Sequence, residues 1–396
     1  MVQICTLRLS LSRWHCFGLD STKVSDFRIS AELAEDQHCG GVCQAILNPG
    51  DLLKLVPVNG SAVSVPHGVS VYKFQYTSTY LDGSAIPSTG FIALPYARIS
   101  KPFKLIAYAH GTSGVFRGCA PSTSPSLFGY QSWRNKYTAH KYVASAANAN
   151  DVYVFVVAAQ RAFPRRLPQD WVSVGHSQGG GAAYKLSEHK LVRNATRGYL
   201  GGVAVAPVTK LYDQLLHGIE KLKHLDNIGD YYIQAVLPSA SLGIKAVFPE
   251  YTFPLLSDIM KSRIELAQIA QLCDTSISGL TLGLRPHELF ANINNTSDPL
   301  MEEFQKLNAP AQGDSASRPL LVVQGAADTI VFEEATVAAY NDSCRYGNSV
   351  RLSVYPGADH SAVLGSSAPD ALGRVVRVRK GERSVSHLVQ LRRTFN

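Results

Sequence analysis

The sequence predicts an α/β fold, in which a mainly parallel sheet is flanked by helices and interrupted by an inserted helical lid. Strand patterns alternate with helical patterns on both sides of one long helical block, and this alternation is typical of parallel sheets. The chain has 396 residues, enough for one large domain with an insertion. Hydrophobic residues make up 45% of it and charged residues 17%, a composition that excludes disorder for most of the chain.

The predicted elements follow from the spacing of apolar residues. Short apolar or alternating runs predict strands, and apolar residues repeated every 3.6 positions predict helices. The predicted strands cover residues 71–77, 90–95, 103–109, 171–175, 199–206, 319–323 and 350–355, with a hairpin turn at Asp82-Gly83, and the predicted helices cover 142–163, 179–191 and 333–340.

Helical spacing dominates the middle of the chain, where Leu211, Leu215 and Ile219 fall on one helix face. This block interrupts the strand pattern, so we predict that it is a lid inserted into the sheet domain. The resulting division is a poorly assigned N-terminal segment at 1–48, an α/β core at 49–207 and 318–372, the lid at 208–317 and an atypical basic tail at 373–396.

The net charge of +8 is concentrated at the C-terminal end. After Gly373, seven basic residues stand against one acid, Glu382, which leaves residues 1–372 nearly neutral. We therefore expect no nucleic-acid partner, although the tail could act as a basic arm. The longest strongly apolar run, Val152–Ala159, is far shorter than the roughly 20 residues that a membrane helix needs, so we expect no transmembrane segment.

Residues 175–179 (GHSQG) match the G-x-S-x-G pattern of a nucleophile elbow. An apolar strand enters the motif and a helix rich in small residues leaves it, so Ser177 is expected to protrude from a sharp strand-to-helix turn. Gly175 and Gly179 lack the Cβ atoms that would collide in such a turn. An ordinary glycine-rich turn stays open as the alternative, whereas the G-x-G-x-x-G fingerprint of a dinucleotide site is absent here.

Candidate partners for Ser177 follow the last two predicted core strands. Asp328 comes just after one strand, and His360 lies in a loop after the next. The order serine, aspartate, histidine is the one expected when a doubly wound sheet carries a catalytic triad. His360 would be the base that takes the proton from Ser177, and Asp328 would orient its ring and stabilise its charged form.

Three other acids compete with Asp328 for that role. Glu333 and Glu334 are close to it in sequence but belong to the following predicted helix. Asp359 adjoins His360 in the chain and is therefore poorly placed to bond its ring.

The predicted strand at 103–109 ends in HGTSG, residues 110–114, a loop that can stabilise negative charge on a reacting oxygen. We expect one donor from the backbone of Gly111 or Thr112 and a second from the backbone N–H of Gln178. Glycine-rich loops after strands are common, so an ordinary loop remains the alternative.

Four motifs in this order resemble the secretory lipase family, the fungal and bacterial α/β-hydrolases related to lipase A of Candida antarctica. They are AHGTSG at 109–114 with CAPS at 119–122, GHSQGG at 175–180, GAAD at 325–328 and YPGADHS at 355–361. The likeness covers about residues 49–370. It implies the α/β-hydrolase fold, ester hydrolysis without a cofactor, secretion, and a lid that bears the acyl pocket. It also implies a disulfide between Cys119 and Cys273.

The chain departs from that family in three ways. The family has a central strand after the loop at 110–114, but residues 115–170 show none. The β-branched run Val152–Val157 would need a crossover to the next strand, and the proline-rich segment that follows it is too short to hold one. That run therefore belongs to the predicted helix. After Asp370 a basic run replaces the closing helix, which leaves Cys344 without a partner. No signal peptide is visible. We hypothesise that these departures are gene-model faults, a skipped segment and altered ends.

Cysteine usage and targeting signals give weaker indications. Cys39 and Cys43 beside His38 resemble half of a zinc site, but no second pair follows, so we predict no metal. Arg8 and Arg13 interrupt the apolar stretch near the start, so either the protein is intracellular or the first ~30 residues, a typical signal length, are not its true start. Sequons compatible with a secreted glycoprotein begin at Asn59, Asn194, Asn294, Asn295 and Asn341.

The leading prediction is a serine ester hydrolase, either a triacylglycerol lipase or a carboxylesterase, that forms an acyl-enzyme on Ser177. Its partner would be an ester or lipid substrate, which includes lipid at a lipid–water interface. The alternatives are an esterase that deacylates a secondary metabolite, a serine peptidase with the same triad, and a non-catalytic or truncated relative, which the absent strand favours. The sequence indicates neither the acyl-chain preference nor the oligomeric state.

Overall fold

The computed structural model describes residues 48–58, 68–96, 104–116, 119, 134–135, 141–193, 198–224, 233–379 and 390–391. The features predicted outside these ranges are most of the N-terminal segment at 1–48, most of the basic tail, the Cys39–Cys43 pair, and the sequons at Asn59 and Asn194. Within the described ranges the strands form two hydrogen-bonded sheets.

The first sheet is antiparallel. It contains β1 (Leu52–Pro57), β2 (Val69–Thr79), β3 (Ala85–Pro95) and the two-residue β5 (Arg134–Asn135), in the order β1-β2-β3-β5. The predicted hairpin turn between β2 and β3 is confirmed. Gly83 has φ +86°, which favours glycine, and Asp82 Oδ1 accepts a hydrogen bond from the Ser84 N–H at 2.9 Å.

The second sheet is parallel throughout. Its strands are β4 (Leu105–Ala109), β6 (Trp171–His176), β7 (Tyr199–Val205), β8 (Leu320–Gly325), β9 (Val350–Tyr355) and β10 (Gln390–Leu391), in the order β10-β9-β8-β7-β6-β4. The predictions for β4 and for β6 to β9 are confirmed to within two residues. Because the carboxyl ends of parallel strands share one edge, the loops after β4, β6, β8 and β9 lie along the same edge.

Helices connect the strands and fill the insertion. The first three are α1 (Ser145–Ala162), α2 (Gln178–Glu188) and α3 (Lys190–Arg193); between β7 and β8 lie α4 (Leu211–Leu222), α5 (Ile233–Val247), α6 (Asp258–Ala270), α7 (Asp274–Gly279), α8 (Pro286–Leu289) and α9 (Pro299–Asn308); α10 (Glu333–Arg345) follows β8 and α11 (Ala362–Arg379) follows β9. The helical block predicted between β7 and β8 is therefore present.

Strand β8 illustrates why helices cover both faces of the parallel sheet. All six of its residues are buried, and successive side chains point to opposite faces. Val322 packs in a buried cluster with Tyr184 of α2, whereas Val323 packs in a different cluster with Val363 of α11. An apolar strand without alternation thus contributes to two cores, one on each side of the sheet.

The helical block between β7 and β8 has an apolar core that extends to residues next to the parallel sheet. Met260 of α6, Phe304 of α9 and Leu222 of α4 are almost completely buried in one cluster. Tyr142, which precedes α1, and Phe332, which precedes α10, belong to the same cluster. Because Phe332 lies in the segment that leaves β8, this helical block packs at the edge of the sheet where the candidate site residues were predicted.

In the described part of 115–170, the predicted absence of a central strand holds. The β-branched run lies in α1, β4 is the last strand in the order of the parallel sheet, and β5 pairs with β3 rather than with β4. Helix α1 joins the two sheets instead. Its Phe155 stacks on Phe74 of β2 with ring centroids 4.6 Å apart, and it shares a buried cluster with Ala107 of β4.

The helix at the C-terminal end of the core extends further than the sequence suggested. Helix α11 runs through the predicted boundary at 372 to Arg379, so the basic run begins inside the closing helix rather than replacing it. Pro369 and the valines after it are poor helix formers, which is why the helix was not predicted there. Helix α11 as a whole contacts β7 and β8, and these contacts stabilise it.

Candidate active site

Ser177 occupies the turn between β6 and α2. Its φ of 57° and ψ of −120° form a backbone conformation that costs a residue other than glycine on the order of 1–3 kcal/mol. The neighbouring strand holds this conformation, because the Ser177 N–H donates to the Val205 carbonyl at 2.9 Å. On the other side, the Ser177 carbonyl accepts from the N–H of Val208 at 3.1 Å. The sharp strand-to-helix turn predicted from GHSQG is present.

The first glycine of the motif is required by this turn. A Cβ on Gly175 would lie 2.0 Å from the carbonyl oxygen of Gly179, far inside van der Waals contact. Ser177 is only 6% exposed, so it is almost completely buried.

Asp328 and His360 are in direct contact. Asp328 follows β8, and its Oδ2 accepts a hydrogen bond from His360 Nδ1 at 2.7 Å. Its other oxygen accepts from the backbone N–H groups of Ile330 and Val331, both at 2.8 Å. Gln324, which the sequence did not single out, adds an amide donor 3.3 Å from Oδ2. The aspartate is therefore fixed at both oxygens, and its side chain has no exposed surface.

The contact with Asp328 determines which nitrogen of His360 can act as a base. Because Nδ1 donates to the carboxylate, Nε2 of the neutral ring carries the lone pair. The side chain is 12% exposed, so a small opening reaches it. His360 thus has the tautomer that a general base needs.

His176 ties the elbow to the base. It is 1% exposed, and its Nε2 donates to the backbone carbonyl of His360 at 2.9 Å, with the two rings 4.7 Å apart. Burial, with a smaller contribution from His360, lowers the pKa of His176 to about 4, so the ring is neutral at ordinary pH. Sequence reasoning treated this residue as the variable position of the motif and missed it.

The structure brings the three candidate residues to one edge of the sheet but does not link all of them. Among the described residues no hydrogen bond joins the Ser177 hydroxyl to the His360 ring. The two are neighbours through His176, which precedes Ser177 in the chain and contacts His360 in space.

The loop after β4 reaches the same edge. Gly111 is buried, and the Thr112 hydroxyl shares a hydrogen bond of 2.7 Å with the hydroxyl of Tyr142. Burial raises the pKa of Tyr142, so this phenol stays protonated and able to donate. Gln178 is the first residue of α2, where backbone N–H groups point out of the helix end. Tyr142 was not predicted, because it lies outside every motif.

A disulfide fastens the same loop to the lid. Cys119 and Cys273 are bonded, as the family resemblance implied, with their Cα atoms 5.0 Å apart. Next to the bond, the N–H of Asp274 donates to the carbonyl of Ser113 at 3.3 Å. Cys344 is the free cysteine of the described part of the chain, as expected.

The rival acids are engaged elsewhere. Glu334 is exposed and pairs with His217 at 3.1 Å and with Lys221 at 3.4 Å on the surface. Asp359 accepts from the backbone N–H of Ala362 at 2.7 Å at the start of α11. Glu333 lies in the first turn of α10. Each helix therefore uses its acid near its own N-terminus, where the helix dipole favours negative charge.

Comparisons with known proteins find likeness in structure but not in sequence. No family model matches the chain, and no curated protein matches its sequence. Its structure is similar to that of Candida antarctica lipase A, with a TM-score of 0.68 and 15% sequence identity over 86% of this chain and 84% of that one. The chain has the α/β-hydrolase fold.

Two bacterial structures extend the likeness to the α/β-hydrolase fold. The rice cell wall degrading esterase LipA from Xanthomonas oryzae has a TM-score of 0.62 and 15% identity, over 84% of this chain and 98% of that one. A candidate hydrolase of Legionella pneumophila has a TM-score of 0.64 and 17% identity, over 85% of this chain and all of that one. These comparisons confirm the fold that the motifs implied.

Two features of the described residues bear on other kinds of site. We find no helix among them with the length and apolar character needed to span a bilayer. The same residues contain no group of three or more His, Cys, Asp or Glu side chains placed to hold a metal ion.

Proposed function

We propose that the protein is a serine ester hydrolase that acts through an acyl-enzyme on Ser177. The observation that carries the proposal is the hydrogen bond of 2.7 Å between Asp328 and His360, whose backbone is bonded to His176, the residue before Ser177 in a strained elbow. An aspartate-bound histidine is a general base, and a serine beside it gains the proton acceptor that its hydroxyl needs. Fold likeness to lipase A and to the esterase LipA agrees with this chemistry.

The reaction proceeds in two halves. His360 Nε2 takes the proton of the Ser177 hydroxyl as the oxygen attacks the ester carbonyl, and Asp328 stabilises the resulting imidazolium. The tetrahedral intermediate expels the alcohol, which leaves with that proton. Water then enters, gives a proton to His360 and attacks the acyl-enzyme, and the acid product departs with Ser177 restored.

Negative charge on the intermediate is met by backbone donors. We assign these to the N–H of Gln178 and to that of Gly111 or Thr112, because the first opens helix α2 and the others follow β4 at the same edge. The hydroxyl pair of Thr112 and Tyr142 holds the β4 loop in place. Removing one such donor from an enzyme of this type costs about 10²–10³-fold in kcat.

The substrate is a lipid ester, and the lid supports this choice. Helix α6 exposes Ile259, Leu266 and Ile269 on one face, with Ile269 75% exposed. Apolar side chains in that number on a lid suit a surface that meets lipid. Secretion is also proposed, since the bond between Cys119 and Cys273 is of a kind that persists in oxidising compartments.

Ester hydrolysis is tested with p-nitrophenyl esters of increasing acyl length, using the purified full-length protein and Ser177→Ala. We expect hydrolysis by the wild type, with higher kcat/KM on longer chains, and none above the uncatalysed rate for the variant. Preference for short chains would replace the lipase by a carboxylesterase. Equal rates for the two proteins would refute the proposal that the protein is a serine ester hydrolase. Failure of a fluorophosphonate probe to label Ser177 would refute it as well.

A further inference from the structure

His360 is held at two separate points. Its ring is fixed by Asp328 from the loop after β8, through the bond between Nδ1 and the carboxylate. Its backbone carbonyl is held by His176, which comes from the elbow on the neighbouring side of the site. The ring contact sets the rotation of the imidazole, whereas the backbone contact sets how far the whole residue stands from the elbow.

The preceding part of the histidine loop is hydrogen-bonded to the segment that follows β8. The Ala358 carbonyl accepts from the Ala327 N–H at 3.0 Å, and a Cβ on Gly325 would lie 2.3 Å from that same carbonyl oxygen. Two residues further on, at His360, the loop passes from the β8 side to the β6 side, where the His176 side chain donates to the His360 carbonyl. Because His176 is bonded covalently to Ser177, its contact couples nucleophile and base directly.

His176 can donate this hydrogen bond at neutral pH. Its lowered pKa keeps the ring neutral, and the neutral ring carries a proton on Nε2 to donate to the carbonyl. A neutral donor adds no positive charge beside His360, so it does not oppose the imidazolium that forms during catalysis.

We propose that His176 is a positioning residue that fixes the distance between the base His360 and the nucleophile Ser177 by donating to the His360 backbone; this inference rests on the proposed ester hydrolysis. It does not contact substrate. Its loss leaves the ring of His360 bonded to Asp328 but frees the backbone to move away from Ser177. Such a displacement lowers kcat without changing the surface that binds the acyl chain.

Two substitutions separate the hydrogen bond from the packing. His176→Phe keeps a ring in the buried space and removes the donor, whereas His176→Gln places an amide N–H near the position of Nε2. His189→Gln is the matched control, because His189 is a partly buried histidine at the far end of α2, away from the site. Each protein is titrated with a fluorophosphonate probe, so that kcat is counted per reactive serine and misfolded protein does not enter.

We expect His176→Phe to lower kcat per site about tenfold, the effect of one lost hydrogen bond, with KM within about twofold of the wild type. His176→Gln should recover most of that loss, and the rate of fluorophosphonate labelling should follow the same order. His189→Gln should match the wild type.

Two results would overturn the inference: wild-type kcat in His176→Phe, or a His176→Gln enzyme as slow as the phenylalanine variant. Failure of the proposed function is a different outcome, in which the wild type itself neither hydrolyses esters nor labels at Ser177.

Discussion

Gly179 packs directly on Ala109: a Cβ at position 179 would lie 2.1 Å from the Ala109 carbonyl oxygen. Ala109 ends β4 and Gly179 lies in the first turn of α2, so the missing side chain sets the distance between the elbow and the loop after β4. That loop and that helix end are the two proposed sources of oxyanion donors. The glycine therefore acts on the geometry of the site and not only on the sharpness of the turn.

Gly179→Ala should reduce both activity and stability. The added methyl group must push α2 away from β4, and a displacement of about 1 Å at a catalytic group costs up to about 100-fold in rate. Overpacking of this kind destabilises by about 1–3 kcal/mol. Steady-state kinetics on a p-nitrophenyl ester and urea unfolding measure the two effects.

Gly365→Ala is the matched control, because a Cβ there, in the exposed part of α11, would meet nothing within 4 Å. It should keep full activity, and its free energy of unfolding should rise by up to about 1 kcal/mol, the helix preference of alanine over glycine. If Gly179→Ala behaves in the same way, the close approach to Ala109 has no functional weight.

Asp328→Asn should nearly abolish turnover. An asparagine can present its amide N–H to His360, which favours the wrong tautomer, and in serine triads this change costs about 10⁴-fold in kcat. Binding is unaffected, so KM should stay within about threefold, since the amide has the size of the carboxyl group.

Glu333→Gln tests whether Asp328, rather than Glu333, is the acid that orients His360. Glu333 lies only five positions away in α10, and its loss should leave kcat within about twofold of the wild type, as for a surface substitution. A large loss of kcat in Glu333→Gln, together with an active Asp328→Asn, would assign the role of the acid to Glu333.

The core strands could be predicted from the sequence because they are short apolar runs that end in glycine or polar residues. The composition of Leu320–Gly325, which begins with four apolar residues, marks it as a strand covered on both faces. In the structure it is buried along its whole length. Asp328 and His360 could then be placed, since parallel strands deliver their following loops to one edge. Their actual contact needed coordinates, because it depends on how far each loop folds back.

Other features carry no local signal. Tyr142 contacts Thr112 across 30 positions of sequence, and His176 contacts a residue 184 positions away. Helix α11 was underestimated, because Pro369 weakens the helical pattern while packing on the sheet maintains it. Pairings over such distances arise from the packing of whole elements, which a periodicity of apolar residues does not describe.

Breaking the disulfide should loosen the site as well as the fold. The Cys119→Ser/Cys273→Ser variant frees two segments that are 154 residues apart, and a link of that kind is worth about 2–4 kcal/mol. Because the bond lies beside the contact between Ser113 and Asp274, kcat should also fall by about threefold to tenfold through displacement of the loop.

Cys344→Ser is the control for that experiment, since Cys344 forms no disulfide and lies in α10. Thermal unfolding and ester hydrolysis of the three proteins are compared without reducing agent. A double variant with the kcat of the wild type would mean that the lid fastening serves stability alone.

Asp151 is an acid in an unusual place, on the side of α1 that faces the antiparallel sheet. Its Oδ1 accepts hydrogen bonds from the hydroxyls of Ser78 in β2 and Ser88 in β3, the latter at 3.3 Å. The residue as a whole is half-buried, but its carboxyl group is enclosed between helix and sheet. That enclosure raises the pKa of Asp151 from 3.8 to about 6, against a smaller lowering by the two hydroxyls.

This shift should make the protein less stable as the pH rises through the window from about 4 to about 6. The native state holds the Asp151 proton more tightly than the unfolded chain, so it binds more protons in that window, and its advantage is lost once both states are ionised. Asp151→Asn keeps an acceptor for the two serines without the charge. Its free energy of unfolding relative to wild type should rise by about 1–3 kcal/mol between pH 4.5 and pH 7.5 in urea titrations. Asp258→Asn is the control, because the side chain of Asp258 is fully exposed, and it should show no such change. If Asp151→Asn differs from wild type in free energy of unfolding by the same amount at both pH values, the Asp151 carboxyl is ionised in the native state at both.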